Sequence, residues 1–466
     1  MSQLDPPEEK RYVTVTLLAA LFLQATSVTL LRHRLGRHWL RHPVTLIVLA
    51  SAVYQGLAPA LLTIPSVAAW NYFRLGIQPG YADAATLLTS AGMLAFTIAY
   101  LATRPERAIG AADPGSIRAA AGTLGWKWLA AACVPLAALT YEGRGYNTPY
   151  GIGATSSVGT DLASTFFVIA VALASTGFLL SRGTRWFLPV LITQSAILAA
   201  AGERTPVITD AIALILMLAL VGSRPRTRQL WGGAVITLAA ILAITGLRVQ
   251  QGRSLFYENN GLSARLSALG DGLTSFAGPP VAGPASPGLL AQAAVRMDGV
   301  DFTAGILQSV HLGQPRLPVS YAAQSVLVVV PSSLWSSKLS RGTLNPALLE
   351  TDDFALQPVN LLPTMSGLYA GYFSPPWLLA FLAFLGLASG RAERWMFRRC
   401  TPARFALLAG LVTAALQFES GTDMLVALRA AAAIAAVVKL TGIVRGHHRR
   451  PSRPRLSRRA VSSATT

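Results

Sequence analysis

The residues best equipped for chemistry in this chain lie between Arg248 and Leu362. Seven Lys/Arg (Arg248, Arg253, Arg265, Arg296, Arg316, Lys338, Arg341) face seven Asp/Glu (Glu258, Asp271, Asp298, Asp301, Glu350, Asp352, Asp353) there, whereas the other polar sequence is overwhelmingly basic. Arg248 and Arg253 follow directly on an apolar run, which puts both guanidiniums at membrane headgroup depth, where a planar fork of donors fits phosphate oxygens. Lys338 and Arg341 are second-rank cations for the same anion, and Arg204 lies in a tight turn expected on the same side. Each arginine taken alone has a blander role, anchoring a helix end to anionic lipid. His311 is the only histidine expected on that side, since His33, His38, His42, His447 and His448 fall in basic segments. A neutral imidazole can take a proton from a hydroxyl. Asp298, Asp301 and Glu258 compete for that task, and a structural or merely exposed His311 is the alternative.

These residues need elements to hold them, and composition names the kind. The chain has 466 residues, 52% of them hydrophobic and only 13% charged, and its mean hydropathy is positive. That is too apolar for water-soluble domains of this length and fits serial membrane spans of about 20 residues. The formal charge of +19 would suggest nucleic acid in a soluble protein. Here the excess sits in short blocks, Arg32 to Arg41, Arg104 to Lys127, Arg182 to Arg185, Arg224 to Arg228 and Arg391 to Arg404, and in a tail from Arg445 to Arg459. Retention of basic loops on the cytoplasmic side explains that pattern, and nucleic acid is not an expected partner. Two cysteines, Cys133 and Cys400, define no disulfide framework. The acidic stretch Asp5 to Glu9 before the first apolar run has the wrong charge order for a cleaved signal peptide.

Alternation of apolar runs and basic blocks predicts an all-α polytopic membrane protein of about 11 transmembrane helices with one large extracytoplasmic loop. The spans are Val13–Leu31, Val44–Ile64, Ala82–Ala102, Trp128–Leu139, Leu162–Leu180, Trp186–Ala201, Val207–Val221 and Trp231–Leu247, then Met365–Leu387, Phe405–Phe418 and Met424–Val444. Four regions follow: an N-terminal bundle of about eight spans (1–247), the loop (248–362), a C-terminal bundle of about three (363–444) and a basic tail (445–466). The N-terminus is expected outside and the tail in the cytoplasm. Pro375 and Pro376 must break or kink their span. Ser325–Val330 is too short to cross and is expected to be interfacial or re-entrant. Asp210 and Arg429 are charges inside spans; either they form a structural pair, Arg429 with Asp210 or Glu419, or they line a polar cavity.

Several reaction classes lack their parts. The chain has no Cys/His metal spacing, no nucleotide-type Gly-rich loop, no GxSxG and no HExxH. No metal and no cofactor is expected.

The turn GERTP (202–206), a span, a basic turn, another span and a large loop opening on Arg248 and Arg253 together resemble the oligosaccharide repeat-unit polymerases, the Wzy-type O-antigen polymerase family. Pro331–Lys338 (PSSLWSSK) is similar to that family's proline-rich approach to a lysine, and Asn360–Phe373 (NLLPTMSGLYAGYF) to its passage from loop into the next span. Where glycines are expected next, this chain has Ser374, Pro375 and Pro376. The resemblance runs from about Trp186 to Leu387 and implies transfer of a glycan from polyprenyl diphosphate to a hydroxyl of the next lipid-linked repeat unit, on the outer face of the bacterial plasma membrane. It assigns Arg204, Arg248 and Arg253 to the diphosphate, with Lys338 and Arg341 in support, and places Tyr369 on the sugar path or as an anchor of the kinked span. The implied partners are the lipid-linked oligosaccharide, membrane lipids, a flippase and a chain-length regulator. An O-antigen-ligase-like transferase shares this layout, and a lipid-glycan flippase or transporter is the alternative of another class.

Overall fold

The computed structural model describes residues 14–64, 77–105, 299–320 and 365–398, with scattered positions at 231–235, 401–408 and 432–439. These residues are helical, with no strand among them. Four helices are long and apolar enough to cross a membrane. They are α1 (Thr14–Leu35), α2 (Pro43–Leu61), α3 (Pro79–Ala102) and α6 (Pro375–Arg398), while α4 (Asp301–His311) and α5 (Met365–Ala370) are shorter. The other seven expected spans fall outside the described residues or touch them at single positions.

Local chemistry sets the boundaries. α1 has neither Gly nor Pro, and its last turn carries Arg32, His33 and Arg34, whose charge favours the negative end of the helix dipole. Gly36, at φ 59°, then ends it in the left-handed region that glycine adopts without cost. A 3-10 turn, Gly36–Arg41, leads to His42, held extended by the proline after it. Pro43 and Pro79 occupy first helical positions, where the missing N–H is no loss, and Pro375 opens α6 in the same way. α3 stops where Arg104 takes φ 53°.

Expected limits shift accordingly. The first basic block begins inside α1, and Arg391, Arg394 and Arg398 prolong α6 beyond the expected Leu387. The span from Met365, expected to be broken or kinked at its proline pair, is two helices separated at residues 371–374. A proline pair cannot donate the hydrogen bonds that would join them.

α3 and α6 make the most extensive helix contact among the described residues. They approach closely because Gly92 on α3 and the Gly386-x-x-x-Gly390 pair on α6 present no side chain. A Cβ on Gly386 would overlap the carbonyl of Phe96, and one on Gly390 would overlap the Thr103 side chain. Since α3 and α6 meet in register towards their C-termini, they run parallel, and α1 runs with them while α2 runs against them. Substituting Gly386 by valine should therefore cost about 2–3 kcal/mol or more by overpacking. Thermal unfolding in detergent would register this as a large loss against Gly80→Ala, a site whose Cβ meets nothing within 4 Å.

Candidate functional site

Three interruptions of regular backbone meet in the half of the bundle nearer Gln78. Irregular backbone at membrane depth survives only where it is packed in protein or lines a polar cavity, so their convergence marks a candidate site.

The first interruption lies in α2, where Val53–Leu57 is wound as a π-helix and Ala58 N–H bonds back to Val53 O. The next donor in that register would come from residue 59, which is proline. Tyr54 O is thereby left to accept the Gly299 N–H, at 3.1 Å. That bond brings the middle of the 248–362 interval into the bundle.

The second is the start of α4. Val300 and Ala304 are fully buried against Ala85 of α3, and Phe302, Thr303 and Ile306 are almost or wholly inaccessible. Asp301, in the first turn of α4, is 5% exposed, and the Thr303 hydroxyl finds no hydrogen-bond partner among the described residues. Val300 is the N-cap residue, and its side chain makes no capping hydrogen bond. At its other end α4 reaches the beginning of α3, where Gln308 Oε1 accepts the Gln78 N–H at 2.8 Å. His311 closes the helix, exposed, with its ring 5.6 Å from that of Tyr81.

The third is the break between α5 and α6. An extended segment after Gly313 runs past it: Leu317 N–H bonds to Gly371 O at 3.0 Å, and Arg316 Nη1 donates to Ala370 O at 2.6 Å and Phe373 O at 2.8 Å. A helix end leaves such carbonyls without partners, and for Gly371 O the residue four positions on is Pro375, which has no N–H to give. Burial lowers the Arg316 pKa from its ordinary value. An arginine still keeps its proton under any physiological condition, so the fork of donors persists. Tyr369 is 8% exposed, its ring 4.4 Å from Phe381 and 6.3 Å from Phe373. The Tyr369 ring packs among aromatic faces beside the break.

A buried polar ladder ties these features to α1. Gln24 Nε2 donates to Ser51 Oγ and to Ser90 Oγ, each at 3.2 Å. Ser51 Oγ donates to Gln55 Oε1 at 2.7 Å, and Gln55 Nε2 to Ser366 Oγ at 3.0 Å. Every rung joins groups that would be costly to bury unpaired, so the ladder fixes the rotation of α1, α2, α3 and α5 about their axes.

The expected site residues separate. Asp301 and His311 lie at opposite ends of α4, about 15 Å apart along its axis. They cannot attend one hydroxyl together. Asp298, Glu258, Arg204, Arg248, Arg253, Lys338 and Arg341 lie outside the described residues, as do Asp210, Glu419, Arg429 and Ser325–Val330. Arg316 counted in the sequence only as one cation of seven, and its role was invisible because it depends on the break 54 residues on. His42, counted in the sequence only among the histidines of basic segments, is 1% exposed. Pro59 inside an apolar run, and Gln24 and Gln55 alone in theirs, were the available signals for the π segment and the ladder. Among the described residues, no group of His, Cys, Asp or Glu is arranged to hold a metal ion.

The class that fold and site define is a helical protein with four helices long and apolar enough to cross a membrane, against which residues 299–320 pack. No protein-family model, curated protein or solved structure matches this chain.

Proposed function

We propose that this protein is a membrane-embedded glycosyltransferase that joins polyprenyl-diphosphate-linked oligosaccharide repeat units into a surface polysaccharide, on the outer face of a bacterial plasma membrane. The observation that carries the reading is the joint packing of 299–320 and 365–376. The second segment holds much of the passage that resembles the polymerase family, and the first comes from the one interval with balanced charge. The two meet through Arg316 and Leu317. Arg32, Arg34, Arg41, Arg104, Arg391 and Arg398 all belong to the opposite end of the bundle, which supports a cytoplasmic assignment for that end and an outer one for the site.

A lipid diphosphate is already a good leaving group. The protein has to align donor and acceptor, neutralise charge developing on the diphosphate, and accept the acceptor hydroxyl's proton. Arg204, Arg248 and Arg253 are assigned to the diphosphate, supported by Lys338 and Arg341. His311 is the favoured base, because it is exposed beside the aromatic face of Tyr81 on which a sugar ring can rest. Buried Asp301 is the less suited of the two described candidates.

Half-helices α4 and α5, with a polar ladder at mid-depth, also occur in transporters, which gives the flippase its own support. Glycan chain length in cells lacking the protein decides between the two. Polymerisation predicts single lipid-linked repeat units accumulating outside, and failure of Arg248→Ala, Arg253→Ala or Arg204→Ala to restore long chains at normal membrane levels. Units accumulating inside would replace this reading with flipping. Full-length polymer left on its carrier would replace it with ligase-like transfer.

A further inference from the structure

The end of the bundle away from the site holds a second concave surface, built by one helix and the turn that follows it. Thr29, Arg32 and His33 of α1, with Gly36 and Trp39, line an open cleft of about 640 Å³, within the range of small-ligand sites, about 300–1,000 Å³. Thr29, Arg32, His33 and Gly36 fall at i, i+3, i+4 and i+7 and so share one face. A Cβ on Gly36 would meet nothing within 4 Å, which keeps that wall open. Trp39 forms the other wall, half-buried, and its carbonyl is fixed by the His42 N–H at 3.1 Å and the Thr45 hydroxyl at 2.7 Å. None of the five is assigned to glycosyl transfer, so the cleft is tested apart from that reading.

We propose that this cleft binds the phosphate headgroup of one anionic glycerophospholipid, whose acyl chains lie along α1. Arg32 supplies a planar fork of donors for phosphate oxygens, and His33 and the Trp39 indole supply ring N–H groups. The Thr29 hydroxyl, one turn nearer the hydrocarbon, serves the ester oxygens. Tryptophan belongs at that boundary, with an apolar body and one polar tip. The same face of α1 continues through Ala25, Phe22 and Leu18, all exposed. From Leu18 to Thr29 it runs about 16 Å, the depth of one leaflet in a hydrocarbon core of about 30 Å. A free anion has no use for such a stripe.

Charge around the cleft favours an anion. α1 also brings Arg34 to this end, the 3-10 turn brings Arg41, and α6 carries Arg391, Arg394 and Arg398. Glu393 is the only carboxylate at this end among the described residues. It is buried in a cluster, with His42 Nδ1 at 2.5 Å and the Tyr100 hydroxyl at 2.9 Å, and cannot neutralise the cleft. Arg394 donates to Thr103 O and Arg404 lies over the Trp395 ring, whereas neither Arg32 nor His33 has an ion pair or side-chain hydrogen bond among the described residues. The helix dipole is served by any cation in the last turn of α1 and does not require a cleft. A basic recess at headgroup depth is what anionic lipids occupy.

The test is native mass spectrometry of the full chain released from detergent micelles. The probes are phosphatidylglycerol, phosphatidylcholine with the same acyl chains, and inorganic phosphate as a competitor. One phosphatidylglycerol should stay bound per protein, about tenfold or more tighter than phosphatidylcholine, whose choline adds a positive charge among cations. Arg32→Ala should weaken that binding about tenfold or more. Thr29→Trp, which fills the cleft without altering charge, should do the same, and Arg34→Ala, in the same turn but outside the cleft, should not. An equal loss in Arg34→Ala overturns the site in favour of diffuse surface charge. Equal binding of both lipids, or of neither, overturns headgroup recognition, and full displacement by inorganic phosphate replaces the lipid with the free anion. Both substituted side chains are exposed, and Thr29→Trp decides even when Arg32→Ala fails to reach the membrane.

Discussion

Arg316→Ala is expected to remove polymer from the cell surface while the protein still reaches the membrane. The guanidinium holds the carbonyls of Ala370 and Phe373. Charged hydrogen bonds contribute about 1.5–3 kcal/mol each, and abandoned buried acceptors carry a penalty of about 1–3 kcal/mol. A combined loss of about 2–4 kcal/mol, reduced from the full sum because Arg316 is only partly buried, is enough to free the 314–318 segment from the α5–α6 break. Arg316→Lys should not rescue it, because one ammonium lacks the breadth of the fork. The checks are glycan chain length in complemented cells, membrane abundance, and proteolysis around residues 314–318. Long chains from a well-expressed Arg316→Ala would show that the staple is dispensable.

Substitution of His311 should have the second large effect, and of a different kind. If the imidazole receives the acceptor's proton, His311→Ala and His311→Gln should each reduce kcat about 10²–10⁴-fold, with KM for lipid-linked repeat unit little changed. Stability should move by no more than about 0.5 kcal/mol, since the side chain is exposed at a helix end. Tyr81→Ala should chiefly raise KM, because an aromatic platform binds the sugar in ground state and transition state alike. Purified protein in nanodiscs with radiolabelled repeat unit separates the two effects. An unchanged kcat in His311→Gln would transfer the base role elsewhere.

The sequence carries the described spans plainly, because a span is a local matter. Unbroken apolar residues make α1, and a proline at a first helical position begins α2, α3 and α6. Pro375 and Pro376 also gave notice of the break, since two missing N–H groups cannot be hidden in a helix. What the break is fastened to was illegible. Arg316 looks like six other cations until the carbonyls it serves are in place. The ladder and the buried cluster were illegible for the same reason: Gln55 meets Ser366 across 311 positions, and His42 meets Glu393 across 351. Charge patterning said nothing of the burial of His42, which sits among arginines in sequence and away from water in the fold.

These separations impose an order on biogenesis. Chains emerge N-terminus first, so α1 to α3 enter the membrane long before residue 299 has been synthesised. Until then the Gly299 N–H that meets the Tyr54 carbonyl is missing, and the Gln55 amide has no Ser366 to receive it. The half-built bundle is thus the stage most exposed to quality-control proteases and most dependent on an insertase to shelter polar groups. A ribosome stalled before residue 366 should leave a nascent chain that is degraded quickly, although all of α1, α2 and α3 are already made.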